Sequence, residues 1–180
     1  MKPRLEPLPR EDWDEETRAL LGESALNVFA TFAHHPKLMK RWLAFGNHVL
    51  AKNTLPARDR ELVILRTGWN CRAPYEWAQH VAIARSIGIS DDEIARVSEG
   101  PDAGGWADAD VLLLRAADEL HEDQTLTDET YAALASRYSV QNLLDLVFTV
   151  GQYHLVSMAL NAFRAERDDN VTGVPIPDRE

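Results

Sequence analysis

Apolar residues recur every three or four positions along most of the chain, and no stretch shows the period of two that a half-buried strand needs. The starts and stops are those of helices. Residues 11–21 predict a first helix ended by Gly22, and Ser24 is placed to cap a second through residue 33. Pro36 opens a third that runs to about residue 52, with Leu38, Trp42, Phe45, Val49 and Leu50 as its apolar stripe.

The helix predicted over residues 57–69 is apolar around most of its circumference after Glu61, which marks a central element. Residues 70–74 break it. A further helix follows over 74–87 and stops at Gly88. Ser90 and Glu93 form a capping box. Residues 108–121 are amphipathic with Val111, Leu112, Leu114 and Leu120 inward, and Thr127 caps a helix through residue 138. The last helix, 140–164, is long and apolar. Gln152 and Tyr153 interrupt it; they either line a pocket or, as the favoured reading, are packed, satisfied polar groups, with Gly151 allowing a close helix approach. The predicted class is all-α: one compact helical domain over residues 1–180, with 1–10 and 168–180 as extended or loose arms. The 57–69 helix and the last one should form its centre.

A hydrophobic share of 45% beside 27% charged residues is globular rather than disordered composition. A net charge of −10 without a basic cluster argues against nucleic acid and against anionic membranes as partners. Cys71 is the single cysteine, so no intrachain disulfide framework exists. The N-terminal residues lack the apolar core of a signal peptide, and uninterrupted apolar runs fall short of the roughly 20 residues that span a bilayer. A cytoplasmic protein is expected.

The stretch ELVILRTGWNCRAPYEWAQH, residues 61–80, places two carboxylates and an imidazole among aliphatic and aromatic neighbours. Such groups acquire shifted pKa values and are candidate proton donors and acceptors. Glu76 reaches His80 at i,i+4, and Trp77, a candidate substrate-binding residue on the pocket wall, shares their face. If the two helices form a hairpin, Glu61 approaches the same pocket. Beside its aliphatic run, Glu61 is expected to be raised by desolvation and to hold a proton at neutral pH. Arg66, Tyr75 and Gln79 are candidates to hold a substrate carboxylate or carbonyl, although helical spacing puts Tyr75 and Gln79 on a different face from His80. The bland reading of each residue is structural: Glu76 favoured by a helix N-terminus, Glu61 paired with Arg58 or Arg66, Cys71 a small buried hydrophobe. No metal site is expected, because none of the six histidines makes an HxxxH or HxxE pair with a third ligand nearby.

The same segment resembles the signature of the carboxymuconolactone decarboxylase and alkylhydroperoxidase D superfamily. Its redox branch carries a Glu, then Cys-x-x-Cys, then a His four residues after the second Cys. Glu61, Ala73, Glu76 and His80 stand at those positions. The resemblance extends from about residue 27 to 161 and takes in AHHPKLMKRWLAFGNHVL, LRAADELH and LLDLVFTVGQYHLVSMALN. It implies an all-α fold of the alkylhydroperoxidase D type, assembled as a homo-oligomer (trimer, hexamer or dimer).

Both redox cysteine positions are lost, to Ala73 and Glu76, so one subunit cannot supply a nucleophilic thiolate and a resolving partner. The YEWAQH form resembles the cysteine-free, decarboxylase-like branch. The resemblance implies a cofactor-independent lyase acting on a small carboxylated lactone or related carbonyl compound, with Glu61, Glu76 and His80 carrying proton transfer. Two alternatives remain: a thiol-dependent peroxidase using Cys71, and a non-catalytic small-molecule-binding oligomer.

Overall fold

Trp13 interrupts what the sequence reads as one N-terminal helix. In the computed structural model, which describes residues 2–22, 26–168, 175 and 177, its backbone is extended and its indole N–H donates to Leu8 O at 2.9 Å. A 3₁₀ turn at Arg10–Asp12 precedes it, and α1 (Glu15–Leu21) follows, capped by Asp14. Next come α2 (Asn27–Phe32), α3 (Pro36–Ala51), α4 (Ala57–Asn70), α5 (Pro74–Ser86), α6 (Asp91–Glu99), α7 (Asp108–Glu122), α8 (Asp128–Ala135) and α9 (Val140–Phe163). Among the described residues there is no strand, and the fold is all-α. Ser24, the expected cap of the second helix, lies outside the described residues; the N-cap position of α2 is Leu26.

The central helix is α4, packed against α5, α6, α7 and α9. Its consecutive residues serve different clusters. Leu62 and Leu65 join Trp77, Val81, Ile94 and Leu114. Val63 joins Leu113, Leu134 and Val150, while Ile64 meets Val49 and Tyr153. A helix surrounded in this way has no polar face to show, which is why its apolar pattern lacks a stripe.

A tight turn joins α4 to α5. Arg72 takes a positive φ of 48°, and Ala73 N–H donates to Gly68 O at 3.0 Å, closing the helix in a Schellman-like arrangement. Pro74 then opens α5 where no amide donor is needed. The hairpin sets Glu61, in the second turn of α4, beside His80.

The α3 stripe holds at Val49, which is buried, and at Trp42 and Leu50, which are half-buried, but fails at Leu38 and Phe45, exposed at 60% and 38%; Met39 is buried in their place. Phe45 instead meets Phe148 of α9 edge to face. On α7 the buried leucines are Leu113 and Leu114.

By length and composition alone α9 could cross a bilayer, with a mean hydropathy of 1.4 over its best window, although its uninterrupted apolar runs are short. Within the fold it packs on α3, α4, α5, α7 and α8, burying Leu146, Val150, Val156 and Leu160. Its outer face exposes Leu144, Phe148, Gly151, Leu155 and Met158 at helical spacing.

The N-terminal arm is extended but not loose. Arg4 N–H donates to Phe163 O at 2.8 Å and Leu8 N–H to Ala30 O at 3.0 Å. Asp168, at the start of the expected C-terminal arm, accepts from Asn27 N–H at 3.1 Å. Most of that arm lies outside the described residues.

Candidate functional site

His80 is held between two carboxylates from two helices. Its Nδ1 lies 2.7 Å from Glu61 Oε2, across the hairpin, and its Nε2 lies 3.2 Å from Glu76 Oε1, one turn back on α5. All three side chains are buried. Arg60 Nε donates to Glu61 Oε1 at 3.1 Å, so both oxygens of Glu61 are occupied. The ring of Tyr153, from α9, meets the imidazole edge-on at 4.8 Å between centroids.

This geometry reverses the expected protonation of Glu61. Burial alone pushes its carboxyl up, but the His80 charge and hydrogen bond, with Arg60 behind them, bring it below the usual carboxylate range. Burial likewise opposes charge on His80. The Glu61 charge and hydrogen bond outweigh it, Glu76 adds to them, and His80 is raised to about 9. At neutral pH the proton therefore sits on His80, and Glu61 is its counter-ion. Burial, with Glu76 and Glu61 nearby, pushes Tyr153 well above the ordinary phenol range, so it stays neutral.

His80 and Glu76 line a pocket of about 130 Å³ between α2, α3, α5 and α9. Val28, Phe29, Leu43, Leu50, Ile83 and Val156 make most of it apolar. Glu61 does not line it and acts on His80 from behind. Tyr75 and Gln79 do line it, despite their offset on the helical wheel, because α2 and α3 wrap that side of α5. They also anchor the segment after α9: Tyr75 Oη accepts from Val28 N–H at 2.9 Å and donates to Asp168, and Gln79 Nε2 donates to Asp168 at 3.0 Å.

The far wall follows the less favoured of the two sequence readings: Gln152 and Tyr153 line the pocket, whereas no described residue of the chain closes on Gly151. The close approach is at Gly46, where an added Cβ would lie 3.3 Å from Gln152 Nε2. Trp42 Nε1 and Gln152 Oε1, both on lining residues, are buried without a hydrogen-bond partner among the described residues. The signal was present in Gln152, a polar residue in the middle of an apolar helix.

Two expected binding residues are elsewhere. Arg66 forms a bidentate pair with Asp118, at 2.6 and 3.0 Å, and donates to the carbonyls of Val97 and Ser98. Its fork is used up tying α4 to α6 and α7. Trp77 is wholly buried in the α4–α7 core and packs on Trp69. As the side chain next to Glu76, it turns into the core while Glu76 turns to the pocket.

Cys71 lies in a different cleft, with Arg72, His121, His154, Met158 and Asn161. The expectation that no histidines cluster with a third ligand is corrected here. Donor atoms of Cys71, His121 and His154 lie within 4.8 Å of one another. They come from three elements, so no local spacing announces them. His121 stacks on His154 at 5.0 Å. Burial and the neighbouring His154 hold it below the ordinary histidine range.

Residues 36–119 match the Carboxymuconolactone decarboxylase family. Among curated proteins, no sequence matches the chain. Among solved structures, a peroxidase-related protein with an alkylhydroperoxidase AhpD core from Ralstonia eutropha JMP134 superposes with a TM-score of 0.82 at 17% identity, covering 94% of this chain and 95% of that one. A peroxidase-related protein from Silicibacter sp. TM1040 gives 0.79 at 14% identity, with 94% of each chain covered. The debrominase Bmp8, as its C82A variant in complex with 2,3,4-tribromopyrrole, gives 0.75 at 15% identity, again with 94% of each covered. These likenesses are likenesses of fold.

Proposed function

We propose that this chain, which belongs to the carboxymuconolactone decarboxylase and alkylhydroperoxidase D-like superfamily, is a cofactor-independent general-acid enzyme for a small carbonyl compound. One observation carries the reading: a buried imidazolium, clamped between two carboxylates, lines an apolar pocket. A dry pocket strengthens proton transfer at a fixed donor.

In the decarboxylating form of the reaction, the C–C bond to a substrate carboxylate breaks and carbon dioxide leaves. The electron pair delocalises onto a conjugated carbonyl. His80 then delivers its proton to the carbon and recovers one from solvent. Glu61 keeps the ring oriented and charged, and Glu76 faces the substrate beside it. Trp42 and Gln152, whose buried Nε1 and Oε1 lack partners among the described residues, are lining residues with hydrogen-bonding capacity to spare for a substrate's polar groups. Among the described residues that line the pocket, His80 is the sole cationic group. That favours a carbonyl-rich substrate with at most one carboxylate, such as a small carboxylated lactone.

The test is a screen of carboxylated lactones and unsaturated carbonyl acids in deuterated water, followed by NMR. Deuterium entering carbon in the product, lost in His80→Gln, is expected. Binding without turnover in the wild type would replace this reading with the non-catalytic binding protein, which the fully partnered Glu61 carboxylate also suits. The Cys71 peroxidase reading has less support: the thiol is outside the His80 pocket, and the chain has no second cysteine to resolve it.

The exposed apolar face of α9 supports assembly with further copies of the chain, which sedimentation velocity would test.

A further inference from the structure

Outside the His80 pocket, Cys71 closes α4, His121 lies in the last turn of α7 and His154 in the middle of α9. His121 Nδ1 is 2.8 Å from His154 Nε2 and 4.0 Å from Cys71 Sγ. We propose that Cys71, His121 and His154 are a three-ligand site for zinc(II), with a fourth coordination position facing the cleft beside them.

The distances are near those such a site needs. Zinc at about 2.0 Å from nitrogen and 2.3 Å from sulfur, in tetrahedral array, puts its ligand nitrogens about 3.3 Å apart and sulfur about 3.6 Å from each. The two rings must part by about half an ångström, and the sulfur must close by a similar amount on His121 Nδ1 and by up to about 1.2 Å on the ligand nitrogen of His154, which lies within 4.8 Å of it. Side-chain torsions of that size are small beside the cleft, which has a volume of about 440 Å³.

The surroundings orient the ligands as zinc requires. His154 Nδ1 lies 2.9 Å from Val150 O and donates to it, which leaves the Nε2 lone pair directed at the cluster. A ligating histidine usually has such a carbonyl partner on its other nitrogen. Asn161 Nδ2 donates to Cys71 O at 3.0 Å and so ties the Cys71 turn to α9. Asn161 stands seven residues beyond His154, on the same helix face. One thiolate and two imidazoles, without a carboxylate, suit zinc and exclude calcium or magnesium. Three protein ligands with an open position are the arrangement of exchangeable, water-bearing zinc sites. None of the three ligands lines the His80 pocket, so this proposal is independent of the general-acid reading.

The experiment is titration of the reduced, untagged chain with cobalt(II) as an optical stand-in, followed by zinc(II) in competition. One equivalent of cobalt should give tetrahedral d–d bands and a thiolate charge-transfer band, both bleached by one equivalent of zinc. Cys71→Ser should remove the charge-transfer band, and His154→Ala should weaken zinc binding by tenfold or more, an effect of about the size seen on losing ligand support. His80→Gln should change nothing. Saturation only in large metal excess, or a complex lacking the charge-transfer band, would overturn the proposal. So would a complex that survives Cys71→Ser or is lost in His80→Gln, since the ion would then sit elsewhere. Because Cys71→Ser exchanges a single atom, it keeps the test decisive even if His154→Ala fails to fold.

Discussion

His80 Nδ1 lies 2.7 Å from Glu61 Oε2, a contact between residues nineteen positions apart in the chain. That contact decides which of the two carries the proton. Burial by itself pushes the carboxyl up; the ring beside it outweighs that, so the carboxyl is an anion and the ring a cation.

Glu61→Gln should therefore lower the His80 pKa from about 9 by about one to two units, the usual effect of losing one close opposite charge. Glu76→Gln should lower it less, since its nitrogen–oxygen distance is longer, 3.2 Å. Following the ring resonances against pH by NMR checks both. A His80 pKa unmoved by Glu61→Gln would show that the ring is not held by this pair.

The same shift makes stability depend on pH. The folded-state pKa of His80 lies above its unfolded value near 6.5, so its contribution is complete below about 6.5 and is lost as pH rises through 9. A shift of this size corresponds to about 3 kcal/mol. Glu61 is lowered, so its contribution is present above about 4.5 and is lost as pH falls through its folded value. Urea unfolding at pH 6 and pH 9.5 should show wild type losing stability relative to His80→Gln over that interval. Parallel losses in the two proteins would remove His80 as the cause.

Gly46→Ala separates pocket from fold. The position is in the interior of α3, where alanine gains up to about 1 kcal/mol of helix propensity. Its methyl would press on the Gln152 amide at 3.3 Å and narrow the pocket. Unfolding should show unchanged or higher stability, while a pocket ligand should bind more weakly. Unchanged ligand affinity would count against Gln152 as a recognition residue.

Arg66→Met should cost about 2 kcal/mol, because it leaves the half-buried Asp118 with Asn70 alone and takes a charged donor from the carbonyls of Ser98 and of Val97, which keeps only Gly100 N–H. It should leave the His80 titration where it is. A displaced His80 titration, with stability intact, would return Arg66 to the site.

The parts of this site that the sequence displays are the local ones. Glu76 and His80 are related by one helical turn, and Glu61 needs only the break at residues 70–74 to come back beside them. Arg66 misleads because its partner Asp118 is fifty-two residues away, and a guanidinium beside a candidate pocket looks the same whether paired or not. Trp77 misleads because an aromatic residue fits a core as well as a pocket. The pocket's other walls come from α2, α3 and α9, and only packing decides which residues of those helices face inward. The departure of Phe45 from the α3 stripe has the same origin: exposed Phe45 packs against Phe148 instead of turning inward. The cluster of Cys71, His121 and His154 draws on three elements, so it has no sequence spacing at all.

The hydrogen bonds of Asp168 also set an order of assembly. The α4–α5 hairpin joins residues close in sequence, so His80 can meet Glu61 while much of the chain is still unformed. Asp168 must reach Tyr75 across 93 residues and Asn27 across 141. Closing loops of that length is slow and is favourable only once both ends are already in place. The proton donor is thus built early in folding, and the wall around it is completed last.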